Sequence, residues 1–193
     1  MCIPRREQAS RFLTPLRGGL TILLLHDTTA KVPLGRFLLG CASSLTGDVT
    51  VLDTDVFYSA NIDLLTDMTR PITGELLLLP QDEFEVPALV PLLSSTKGML
   101  IIDDLNSLYS LASDGRKLHQ LTVLLKLLSQ SAKSNLSWAV ATAYRPEGPK
   151  RENPNQRSLM ALSDLVVDTT MSDGSLWFKS RSKGRWPDDE LKV

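Results

Sequence analysis

The sequence predicts an α/β domain with a mostly parallel central sheet, helices flanking it, and a C-terminal antiparallel hairpin at one edge. Two patterns carry that prediction. Short apolar runs suited to buried parallel strands alternate with segments of helical periodicity. Near the C-terminus two strand-like runs, LVVDTTM and SLWFKSR, flank Asp173-Gly174, a pair suited to a tight hairpin turn. With 193 residues and 42% apolar content the chain can bury such a sheet as a single domain over residues 1–193, with an N-terminal extension over 1–16 and a tail over 186–193.

The elements follow in order. LTILLL (20–25), preceded by Gly18-Gly19, reads as the first strand, and Leu34, Phe37, Leu38 and Cys41 recur at helical spacing just after it. VTVLDTD (49–55), ELLLLP (75–80, closed by Pro80) and GMLIIDDL (98–105) read as the next three strands. Residues 117–134 form the clearest helix: Leu118, Leu121, Leu125 and Leu128 share a face that Val123, Leu124 and Leu127 widen, so this helix is expected to be well buried. LSWAVATA (136–143) is the fifth strand, RPEGPKRENPNQR (145–157) an exposed loop, and 159–165 a short helix before the hairpin. Trp138 and Trp177 fall in strands and are expected in the core. Trp186 is a candidate partner anchor, and Asp188, Asp189 and Glu190 are expected to be solvated and mobile.

Composition excludes several function classes. No apolar run approaches the ~20 residues of a membrane span. The basic start MCIPRREQASRF has no apolar core of a secretory leader, and two isolated cysteines offer no disulfide framework, so the expected compartment is the cytoplasm, or the nucleus in a eukaryote. Two histidines and two cysteines supply no zinc-type ligand set. The net charge of −1 is unevenly spread: residues 1–47 carry +4, 48–104 carry −9 and the remainder +4. Nucleic-acid contact would therefore have to come from local basic loops.

In open parallel sheets ligands bind beyond the carboxyl ends of the strands, so the residues there carry the functional argument. After the first strand, LHDTTAKV can be laid over the phosphate-binding pattern G-x-x-x-x-G-K-[ST]. Leu25 and Ala30 then stand at the glycines, Val32 at the magnesium-binding hydroxyl, and only Lys31 matches. After the second strand come Asp53 and Asp55. After the fourth come Asp103 and Asp104, shaped like a Walker B element, although Asp104 equally suits a helix N-cap. After the fifth come Tyr144 and Arg145, leading to Lys150, Arg151 and Arg157.

In this order, these positions resemble the RecA/RadA/KaiC superfamily of strand-exchange and clock ATPases over nearly the whole chain, from TPLRGGLTILLL to KSRSKGRW. The resemblance implies a RecA-like core, with Asp55 at the catalytic glutamate position, Asp103 and Asp104 in the Walker B segment, and Tyr144 where a γ-phosphate-sensing glutamine usually stands. It also implies that Lys179 and Arg181 match a Lys-x-Arg that reaches a neighbouring subunit's nucleotide. The chain departs from the family at the loop glycines, the magnesium hydroxyl and the sensor glutamine, and its catalytic acid is one methylene shorter.

These departures point to a catalytically silent, RadA-type paralogue that binds ATP and Mg at most weakly and has no assured cofactor. Its implied role is that of an accessory or scaffold subunit in DNA recombination or repair. Expected partners are a RecA/RadA-like recombinase or sibling RecA-fold subunits, with single-stranded DNA or RNA contacted through Lys150, Arg151, Arg157, Lys183 and Arg185. The absence of a preceding helical DNA-binding domain is read in the same sense. Two other readings stand beside this one. The first is a small Elongator-type ring subunit that binds transfer RNA, to which Asp103-Asp104-Leu105 with Leu108 and Ser110-Leu111 is similar. The second is a weak, divergent ATPase using Lys31, Asp55 and Asp103.

Overall fold

The apolar run that suggested the first strand forms β1 (Gly19–Leu25), all seven of whose residues are buried. In the computed structural model, which describes residues 6–45, 47–66, 73–78 (backbone only), 87, 89–90, 98–112, 114–145, 160–181 and 190–193, β1 lies inside an eight-stranded sheet. The other strands are β2 (Asp48–Asp53), β3 (Thr73–Leu78), β4 (Met99–Asp103), β5 (Trp138–Tyr144), β6 (Leu165–Ser172), β7 (Ser175–Ser180) and β8 (Glu190–Lys192), in the spatial order β3-β2-β4-β5-β1-β6-β7-β8. Pairing is parallel from β3 through β6 and antiparallel from β6 to β8. Asp173 and Gly174 both take positive φ (51° and 72°), as the tight β6–β7 turn requires.

Alternate residues of β1 feed two cores, because successive side chains of a strand point to opposite faces. Leu23 and Leu25 join the side covered by α1 (Arg6–Leu13) and α2 (Lys31–Leu45). Leu20, Ile22 and Leu24 join the side covered by α5 (Leu105–Leu111) and α6 (Gly115–Asn135). Two short helices, α3 (Phe57–Ala60) and α4 (Ile62–Leu65), follow β2. On α6, Leu121, Leu124, Leu125 and Leu128 are buried, each contributing roughly 1.5–3 kcal/mol.

Four sequence expectations need correction. The N-terminal segment is no extension: Ala9, Phe12 and Leu13 of α1 are fully buried, and Phe12 packs 4.9 Å from Phe37 and 4.6 Å from Phe178 between ring centroids. The apolar face of α6 is narrower than its sequence suggests, since Val123 and Leu127 are 41% and 51% exposed; a single covering sheet can bury only about a 100° stripe. Glu190 is not a mobile tail residue but opens β8, which pairs antiparallel with β7 and extends the C-terminal hairpin by one strand. Trp138 and Trp177 are only half-buried. Trp138 donates its indole N–H to the Leu13 carbonyl at 2.8 Å and so seats α1, while the Lys192 ammonium lies 4.9 Å from the Trp177 ring.

Candidate functional site

The strand register gathers the predicted residues at one end of the sheet. Leu25, the last residue of β1, pairs with Tyr144, the last of β5, and Asp53 of β2 pairs with Asp103 of β4. The 53–55 and 103–104 acids thus lie alongside the loop that leads from β1 into α2.

That loop is a 3-10 turn (Thr28–Ala30) running directly into α2, and none of residues 25–32 has a positive φ. Leu25 and Ala30, which stand where glycines would, therefore sit in ordinary conformations. Asp27 caps the turn: its carboxylate accepts the Thr29 N–H at 2.7 Å, and its carbonyl accepts the Ala30 N–H at 3.3 Å. The Thr29 amide holds the carboxyl of Asp27 below its ordinary range. A phosphate cradle needs free loop amides. Here Asp27 already occupies two of them, and Val32 is 37% exposed with no hydroxyl to offer a metal.

Lys31, the first residue of α2, is 8% exposed and turns inward. Its ammonium contacts Asp55 Oδ2, lies 3.1 Å from Asp103 Oδ2 and 3.9 Å from Asp104 Oδ2. The rings of Phe57 and Tyr144 wall it in, with centroids 4.5 and 5.5 Å from Nζ. The Thr142 hydroxyl donates to Asp103 Oδ1. Thr54 accepts the Asp104 N–H at 2.8 Å, with its hydroxyl 2.9 Å from the Asp103 carbonyl, which ties the ends of β2 and β4 together. The Asp103–Asp104 peptide is cis. Asp104 caps α5 by accepting the Ser107 N–H at 2.7 Å, which is its helix-cap reading, and its Oδ2 lies 3.9 Å from the Lys31 ammonium. The turn that aims Asp55 is strained: Val56, β-branched and half-exposed, holds φ 64°.

Charge in this pocket is unbalanced. Burial pushes the Asp103 carboxyl up to about 6, more than the Lys31 charge and the Thr142 hydroxyl pull it down. Burial opposes the Lys31 charge, but Asp103 and Asp55 outweigh it and raise its pKa. Burial likewise lifts the Tyr144 hydroxyl to about 12 against the opposing pull of Lys31. An incoming triphosphate would meet one ammonium already shared among Asp55, Asp103 and Asp104, so the residues present do not fit a nucleotide.

The structure brings together Lys31, Asp55, Asp103 and Asp104, and leaves Lys179 and Arg181 apart from them. The Lys179 ammonium pairs with Glu190 at 2.6 Å. Arg181 grips Asp168 through two contacts of 2.9 and 3.0 Å, and Asp168 also meets His26 Nε2 at 2.7 Å. Burial works against the Asp168 charge, but Arg181 and His26 outweigh it and lower its pKa. Lys150, Arg151, Arg157, Lys183 and Arg185, together with Trp186, Asp188 and Asp189, lie outside the described residues. Sequence reasoning missed Asp27, although an Asp just ahead of Thr-Thr-Ala-Lys is a helix-start signature. It also missed Thr54, Phe57 and Thr142, whose roles depend on strand register and have no local signal. No protein-family model matches the chain, and a search of curated proteins returns no match.

Proposed function

We propose that this chain is a RecA-like domain that does not turn over nucleotide and works as an accessory or scaffold subunit in DNA recombination or repair. It acts by contact with a RecA/RadA-like recombinase or with sibling subunits of the same fold. The observation that carries the reading is the closed state of the loop after β1. Asp27 takes two of the loop amides, those of Thr29 and Ala30, and Lys31 is committed to Asp55 and Asp103. Each charge-assisted bond a phosphate would have made there is worth roughly 1.5–3 kcal/mol, and forming it would first require breaking an internal one. The assignment to recombination rests on the resemblance from TPLRGGLTILLL to KSRSKGRW; the mostly parallel sheet ending in antiparallel strands supports it only at the level of fold.

Calorimetric titration with MgATP tests the nucleotide half of the reading. The expected Kd is weaker than ~1 mM, equivalent to about −4 kcal/mol, and low-micromolar binding would sink it. Affinity purification from the native source tests the partner half: a recombinase supports it, whereas two sibling ring subunits with bound transfer RNA replace it with the Elongator-type reading. For Lys150, Arg151, Arg157, Lys183 and Arg185, filter binding of single-stranded DNA across a salt series should show affinity falling with salt, by about 0.7 log units per log unit for each phosphate contacted. A flat profile would remove phosphate contact from the proposal.

A further inference from the structure

The long helix α6 turns one face to the core, through Leu121, Leu124, Leu125 and Leu128, and another to solvent. Arg116, His119, Val123, Lys126, Leu127 and Gln130 are all exposed, and they recur three and four residues apart, so they share that outer face. Val123 and Leu127 lie one above the other at its centre, 41% and 51% exposed. Single exposed apolar residues are ordinary on a protein surface, but the outer stripe of a helix is normally filled by charges of both signs. Here only one sign is present: α6 contains Arg116, Lys117, Lys126 and Lys133, and no Asp or Glu. The nearest acids are engaged elsewhere. Asp114, the N-cap, accepts the Lys117 N–H at 2.7 Å, and Asp164 pairs with Lys133 at 2.5 Å. Among the described residues, Arg116 and Lys126 have no carboxylate partner.

We propose that this outer face of α6 docks an acidic amphipathic helix of a partner protein. Val123 and Leu127 seat the partner's apolar residues, and Arg116 and Lys126 pair with its carboxylates. The charge pattern selects this occupant. A convex helix face is matched by a second helix that packs ridges into grooves. Apolar side chains at i and i+3 or i+4 of that helix cover Val123 and Leu127, and its flanking Asp or Glu supply the sign of charge that α6 lacks. The same face of a second copy would set cation against cation with no acid between them. A phosphate backbone would satisfy the two cations but bring nothing apolar to Val123 and Leu127. This goes beyond the accessory reading and does not rest on it. Tight MgATP binding would sink that reading and leave this surface in place, because the test below contains no nucleotide.

The probe is a fluorescein-labelled helical peptide of about 18 residues, with Leu along one face and Glu on both flanks, titrated into the full chain and followed by anisotropy. Saturable binding that weakens as salt rises is expected. Lys126→Glu and Leu127→Ala should each weaken it by about tenfold, with Tm unchanged because both positions are exposed. If either variant does not fold, the wild-type chain decides through the peptide: exchanging its Glu for Lys, or its Leu for Ser, should each abolish binding. The proposal is overturned if the Glu peptide does not bind, if the Lys peptide binds as well, or if folded Lys126→Glu and Leu127→Ala bind undiminished. Displacement of the peptide by single-stranded DNA would overturn it in favour of a nucleic-acid surface. Self-association of the wild-type chain that Leu127→Ala abolishes would overturn it in favour of a second copy.

Discussion

Two carboxylates at opposite ends of the sheet show how differently one side chain can be employed. Asp164, just before β6, accepts the Leu20 N–H at 3.0 Å and the Ser129 hydroxyl at 2.6 Å, and pairs with Lys133 at 2.5 Å. Gly19 makes that approach possible, since a Cβ there would lie 2.8 Å from Asp164 Oδ2. Burial works against the Asp164 charge, but Lys133, Ser129 and the Leu20 amide outweigh it and lower its pKa. Asp103, at the other end, is more deeply buried, shares one ammonium with neighbouring acids and is pushed up to about 6. The first carboxylate pins a helix to a strand. The second sits in a pocket where Asp55, Asp103 and Asp104 share one ammonium.

The largest effect is expected where that pocket is broken. Lys31→Met removes the cation shared by Asp55 and Asp103 and should cost about 3–5 kcal/mol in urea unfolding, more than the loss of either Asp164 or Arg181. A loss below ~1 kcal/mol would mean that the acids are already solvated or protonated. Next comes the core of α6. Leu125→Ala, at a fully buried position, should cost about 2–5 kcal/mol, whereas Leu127→Ala at 51% exposure should stay within ~0.5 kcal/mol. Equal effects would show that the exposed half of α6 is covered in solution.

Asp164→Ala should cost roughly 1–3 kcal/mol by stranding the Leu20 amide and Lys133. Because the folded pKa of Asp164 is lowered, its contribution is complete above the ordinary carboxylate range and fades as pH falls through the lowered value. The gap between wild type and Asp164→Ala in urea midpoint should therefore be constant near neutrality and shrink below pH ~4; a gap that widens on acidification would contradict the pairing. The smallest effect is expected at Arg181, about a third exposed: Arg181→Ala should cost no more than ~1 kcal/mol, read as a shift of a few degrees in Tm.

Much of the architecture was legible locally. The strand runs, the spacing Leu34-Phe37-Leu38-Cys41 and the Asp173-Gly174 turn each report a backbone preference that operates within a few residues. The candidate site was half legible. Strand-end acids and a lysine after β1 could be picked out one by one, because the carboxyl ends of parallel strands share an edge. Their partners could not be read the same way, since Asp53 meets Asp103 only through the β2–β4 register across 50 residues of chain.

What the sequence determined by itself is the set of elements and the lack of glycine and of a hydroxyl after Lys31 in the loop that follows β1. Periodicity and turn chemistry act at short range, and a missing glycine or hydroxyl is missing in any fold. Tertiary structure alone decided that α1 is core, that Glu190 begins a strand and that Lys31 turns inward to Asp55 and Asp103. Those outcomes depend on which surfaces remain to be covered, and on which charges meet, once distant segments have packed.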